Sequence, residues 1–176
     1  TGLLNGTGYV FRVGAVNGAG TGPVSVVSVM VAPWWPAPVG CTIIGTPGDD
    51  VLYGTNGADH ICGLGGDDKI YGKGGRDTLD GGPGNDKLFG GKGKDKLYGR
   101  GGNDKLYGNN GKDKLYGGKG KDKLYGNNGS DKLYGGKGWD LLVGGHKKDT
   151  LTGGKGKDTA KAPGPDVLVS IEIVVP

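Results

Sequence analysis

From Gly45 to Lys161 the chain repeats itself every nine residues, thirteen times, with no insertion or deletion. Three successive units read GGKGKDKLY, GRGGNDKLY and GNNGKDKLY. The first position is Gly and the sixth is Asp in all thirteen units. The fourth is Gly in twelve, with Lys147 the exception, and the eighth is Leu or Ile in twelve, with Ala160 the exception. A fixed short period marks a stacked repeat architecture, in which each unit packs only on its neighbours. Segments such as Lys-Leu-Tyr are long enough for a three-residue strand, with Leu on one side and Lys and Tyr on the other. The six Gly-rich residues between them must turn the chain, and a Cβ at the first or fourth position would hinder the turn. Composition agrees: 43 of 176 residues are Gly, and such a chain stays disordered unless its Gly recurs where turns need it.

Two units make one coil, so unit n stacks on unit n+2 and odd and even units build two parallel sheets. Leu52, Leu88, Leu106 and Leu124 are among the residues that fill the space between them. The expected fold class is all-β, a parallel β-roll (β-solenoid) of nonapeptide repeats. One Leu per nine residues is a thin core, and ordering the backbone costs more than that burial returns. A second source of cohesion is required, and the remaining invariant residue is Asp. Stacking sets sixth-position Asp residues of units n and n+2 one strand spacing apart, about 4.8 Å. Rows such as Asp68, Asp86, Asp104, Asp122 and Asp77, Asp95, Asp113, Asp131 repel if left bare. A hard divalent cation between the loops removes that repulsion, and carboxylates with turn carbonyls form the all-oxygen set that Ca²⁺ prefers. The candidate metal ligands are Asp50, Asp59, Asp68, Asp77, Asp86, Asp95, Asp104, Asp113, Asp122, Asp131, Asp140, Asp149 and Asp158.

The repeat GGxGxDxUx resembles the haemolysin-type (RTX) calcium-binding family. The resemblance implies a roll whose loops hold several Ca²⁺ ions through Asp carboxylates and backbone carbonyls. It also implies an extracellular setting, and folding that follows calcium binding in modules carried by secreted toxins, proteases and adhesins. This sequence departs from the acidic family pattern. Lys fills the seventh position at Lys69, Lys87, Lys96, Lys105, Lys114, Lys123 and Lys132, and the fifth at Lys94, Lys112, Lys121, Lys148 and Lys157. A neighbouring ammonium lowers cation affinity, so Lys is expected to pair with Asp and stand in part for Ca²⁺. Within that family, Cys41 and Cys62, the only two cysteines, suggest a disulfide stapling the N-terminal cap. Free thiols are the alternative, and zinc on Cys41, Cys62 and His60 lacks a fourth ligand.

The formal net charge is +4. Between Gly90 and Gly135, eleven Lys or Arg face five Asp, a local excess of 11 − 5 = +6. Lys and Tyr (Tyr71, Tyr98, Tyr107, Tyr116, Tyr125, Tyr134) form neighbouring outward ladders. An anionic surface or polymer is a candidate partner. Nucleic acid is not favoured, because cross-strand packing of Tyr rings and Lys stems accounts for the ladders as well. No apolar run reaches the length of a membrane span. His60 and His146 sit at variable positions, and no Ser lies in a nucleophile-elbow context, so an enzyme is not expected.

Residues 1–33 carry two apolar-alternating runs around Asn17–Pro23 and read as two antiparallel strands. The stretch LLNGTGYVFRVGAVNGAGTGPVS resembles the last two strands of a fibronectin type III domain, truncated here. Residues 34–44 form a Pro-rich linker and N-terminal cap, with Trp34 and Trp35 covering the roll or the segment before it. Residues 162–176 hold a faded unit, in which Asp166 falls one residue early and is a doubtful ligand. They also hold an alternating run, Val167, Val169, Ile171, Ile173, Val175, expected to close the roll as a strand. The expected function is calcium binding coupled to folding of an extracellular structural or adhesive module. The alternatives are a Lys/Tyr-faced binder of anionic polymer and a non-catalytic tail of an upstream secreted enzyme.

Overall fold

The computed structural model describes residues 40–175, together with a short antiparallel pairing of Val10–Phe11 with Val29–Met30. That pairing agrees with two antiparallel strands before residue 33. The remainder of the fibronectin-like segment, with Trp34 and Trp35, lies outside the described residues.

The repeat folds as its period dictates. Strands from alternate units stack into an 8-stranded and a 9-stranded sheet, and no helix forms among the described residues. From Ile43 to Lys161 each neighbour along a sheet lies 18 residues away, parallel and in register: Leu97 pairs with Leu79 on one side and Leu115 on the other. The same holds in the second sheet, where Leu106 pairs with Leu88 and Leu124. Invariant spacing makes every rung identical, so no register slip satisfies more of the pattern. The eighth-position residues from Ile61 to Leu151 have no exposed surface and fill the space between the sheets, one column from each sheet, with Ala160 the last of them.

The strands are longer than the three residues expected. Lys87–Gly93, Lys105–Gly111, Lys114–Gly120, Lys123–Gly129 and Lys132–Gly138 each run from position seven into the fourth position of the next unit. Parallel pairing continues through the glycines, as in Gly118 with Gly136, because stacked copies of one turn keep their peptide groups in hydrogen-bonding reach. The tail also differs from expectation. It forms two strands, Val167–Val169 in one sheet and Ile173–Val175 in the other, rather than one. Ser170, at φ 50, turns the chain between them, so the tail adds one more half-coil to each sheet.

At the opposite end Ile43–Ile44 pairs with Ile61–Cys62 as the first rung. Cys41 and Cys62 form a disulfide with Cα atoms 6.1 Å apart. The two sulfurs and one His60 ring nitrogen lie within 4.8 Å of one another, and the disulfide takes both thiols out of metal chemistry. The Gly40 carbonyl accepts from His60 Nδ1 at 2.8 Å, which fixes the ring beside the bridge. Replacing both cysteines by Ser should lower the stability of the calcium-loaded chain by about 3 kcal/mol, the loop-closure value for about twenty residues. Calorimetric melting in calcium checks this, and an unchanged melt would show that the staple adds nothing.

Candidate metal centre

Each sixth-position Asp ends a turn and points inward at the edge of the roll, and those from Asp68 to Asp158 are at most 2% exposed. One carboxylate oxygen is used by the backbone. Asp86 Oδ1 accepts the N–H of Asp68, and Asp104 Oδ1 accepts that of Asp86, each at 2.8 Å. The second edge repeats this from Asp77 to Asp95, Asp113 and Asp131. The column is thus a continuous side-chain-to-backbone ladder, one bond per coil.

The other oxygen is not used. Oδ2 of every sixth-position Asp from Asp68 to Asp158 is buried with no hydrogen-bond partner. Such an oxygen costs its full desolvation, about 1–3 kcal/mol or more when charged. First-position Gly makes room for it. A Cβ built on Gly108 would stand 2.6 Å from Asp113 Oδ2 and 3.0 Å from the Gly126 carbonyl oxygen. At Gly90 the corresponding distances are 2.7 Å to Asp95 Oδ2 and 2.8 Å to the Gly108 carbonyl. The absent side chain therefore leaves a cradle that a carboxylate oxygen of one unit and a carbonyl of the next coil share. Close approach, not an unusual φ, makes Gly obligatory at this position. An orphaned buried carboxylate beside a carbonyl is an oxygen-only donor set, and it fits Ca²⁺.

Burial raises these carboxyls out of the ordinary carboxylate range. Asp68, Asp104 and Asp113 are pushed up to about 7, chiefly by desolvation, against the opposing N–H bond and with added repulsion from carboxylates above and below. Asp77, Asp86, Asp122, Asp131 and Asp140 rise to about 6, again chiefly by desolvation. Asp95, Asp149 and Asp158 move in the same direction for the same reason.

The structure divides the thirteen aspartates. Thr46 donates its N–H and its hydroxyl to Asp50 Oδ2, at 2.5 and 2.9 Å. Thr55 does the same for Asp59 Oδ2, at 2.7 and 2.9 Å. These two oxygens are satisfied by the protein, and the eleven that follow are not. Thr at the second position was the signal for this in the sequence, since it occupies that position only in the first two units.

At the far end the ladder continues past the last regular unit. Asp166, despite its early position, accepts the Asp149 N–H at 2.9 Å and leaves its own Oδ2 unpartnered. Glu172 accepts the Asp158 N–H at 2.7 Å and so fills the next place. Sequence reasoning missed Glu172, which lies 14 residues from Asp158 rather than 18, and only the extra half-coil brings it there.

Pairing of Lys with these carboxylates, expected from the Lys-rich loops, does not form. Among the described residues the one ion pair joins Arg100 to Asp80 on the outer face. Fifth and seventh residues flank the inward sixth, so alternation sends their side chains out. The tyrosines stack instead. Tyr53, Tyr71, Phe89, Tyr107 and Tyr125 form one column with centroids 4.9–5.0 Å apart, and Tyr98, Tyr116 and Tyr134 a second at 4.9 Å.

A parallel roll with two inward columns of carboxylates, each offering an unpartnered oxygen per coil, defines a metal-binding β-solenoid. The RTX calcium-binding nonapeptide repeat matches in overlapping segments from residue 42 to residue 160, well over half of the chain, and the protein belongs to that family. Family membership carries calcium binding with it. No single curated protein matches the sequence.

Proposed function

We propose that this chain is a calcium-folded extracellular module whose ions sit on the aspartates from Asp68 to Asp158, while Asp50 and Asp59 form a metal-free starter coil. The observation that carries the reading is the division of Oδ2 atoms: two accept bonds from Thr46 and Thr55, and eleven are buried without a partner. Calcium supplies the missing partner for the eleven. The starter coil, sealed by Thr and stapled by the Cys41–Cys62 disulfide, supplies a first surface on which metal-bound coils stack. Millimolar calcium and a stable disulfide both belong to the extracellular space, which supports a structural or adhesive role there. Cytosolic calcium would leave weak sites empty.

Calorimetric titration of point variants tests the division. Asp113→Asn should reduce the number of bound ions and raise the calcium midpoint of folding. Asp59→Asn should leave the ion count unchanged. Equal loss of ions from both variants would sink the starter-coil reading. In the same assay Thr55→Val should destabilise the first coil by about 0.5–1.5 kcal/mol, because it removes one of the two hydrogen bonds that Thr55 gives the half-buried Asp59 carboxylate.

A further inference from the structure

One outer face of the roll carries a feature that calcium binding does not use. In the sheet that holds Tyr98 and Tyr116, the residues two places beyond the tyrosine column are Gly118, Gly136 and Gly154, in register. The next column is Lys119, Lys137 and Lys155. Glycines between a row of rings and a row of long basic chains leave a trough of about 620 Å³. Arg100 stands at one end of it, in register with Gly118. The opposite sheet interrupts its floor at the same place: that column reads Gly91, Asn109, Asn127 and Gly145, and Asn128 donates to Asn110 beside it at 3.0 Å.

The charges in the trough are unmatched except at Arg100, which pairs with Asp80. Lys119, Lys137 and Lys155 are exposed and repeat once per coil, about 4.8 Å, along the roll axis. Columns of like charge at that pitch attract a linear polyanion lying along the axis. The aromatic wall decides which kind. Tyr98 and Tyr116 are stacked at 4.9 Å with ring planes 7° apart, and Tyr116 and Tyr134 at 4.9 Å and 6°. Arg100 covers the ring of Tyr98 at 5.0 Å. The ring faces within the column are spent on one another, so they give little of the exposed stacking platform by which single-strand binders hold bases. The wall offers positive ring edges and phenol hydroxyls, which suit the hydroxyl groups of a sugar.

We infer that this trough binds a linear acidic polysaccharide, with Lys119, Lys137 and Lys155 on its carboxylates or sulfates. The inference uses the roll as folded and does not depend on which aspartates hold calcium. Binding of the calcium-loaded chain to hyaluronate, dextran sulfate, neutral dextran and single-stranded oligo-dT tests it. One or both acidic polysaccharides should bind, neutral dextran should not, and the carboxylated and sulfated arms distinguish the two anion types.

The triple change Lys119→Gln, Lys137→Gln, Lys155→Gln should weaken binding at least about tenfold and flatten its salt dependence. Removing three charges from the other sheet, by Lys69→Gln, Lys87→Gln and Lys105→Gln, should change it less than about threefold. Equal losses from the two Lys triples would reduce the effect to net charge and overturn the inference. So would tighter binding of oligo-dT than of either acidic polysaccharide, or no polysaccharide binding at all.

Discussion

In chelator at neutral pH the chain should lose the roll, and calcium at millimolar concentration should restore it in one cooperative step. The expectation follows from the eleven buried Oδ2 atoms without a partner. Each costs about 1–3 kcal/mol, so even five of them cancel the roughly 5–15 kcal/mol net stability of an ordinary domain. Each nine-residue unit puts one side chain into the core, and that burial cannot make up the difference. Calcium at a hundred times its Kd returns about 2.7 kcal/mol per site, and sites stacked on one another fill together. Far-UV circular dichroism of chelator-treated chain, titrated with Ca²⁺ and with Mg²⁺, reads the result. A coil-to-β transition with Ca²⁺ alone is expected, because Mg²⁺ gives up its waters reluctantly. A metal-free chain already fully β at neutral pH would show that the orphan oxygens do not govern folding.

Acid should replace calcium in part. Eight of the buried carboxyls stand at about 6 or about 7 in the roll, whereas an unfolded Asp titrates near 3.9. A folded-state pKa above the unfolded value means that the roll holds its protons more tightly than the unfolded chain does. The metal-free roll is therefore favoured as pH falls through 7 and 6, and the gain is complete below about 4, where both states are protonated. Rising pH removes that contribution. Protons and calcium compete for the same oxygens, so calcium affinity should fall over the same window and binding near pH 6 should release protons. Circular dichroism in chelator from about pH 7.5 to 4.5 should show β structure returning, the reverse of ordinary acid unfolding. Titration calorimetry in buffers of different ionisation enthalpy reads the released protons. A metal-free chain that loses β structure steadily on acidification would contradict the assignment of these aspartates as buried, unpaired groups.

The nonapeptide pattern was legible because its physical content is local. Gly at position one, Asp at six and Leu at eight recur at a fixed interval, and a two-residue alternation then decides which side chains enter the roll. The coil length, the parallel register of Leu97 with Leu79 and Leu115, and the inward Asp rows all follow from that interval. The staple between Cys41 and Cys62 was legible only through family likeness, since spacing alone does not distinguish a bridge from two thiols.

The sequence by itself determined the all-β class, the stacking of unit n on unit n+2, and the set of carboxylates from which metal ligands are drawn. Only the tertiary structure decided which of those carboxylates lack a protein donor at Oδ2, because that depends on whether Thr46 or Thr55 reaches back within its own turn. It also decided that Glu172 joins the ladder, through a turn at Ser170 that breaks the period. And it sent the lysines away from the aspartates: adjacent residues in a strand face opposite sides, so charges one position apart in sequence end up on opposite sides of a sheet.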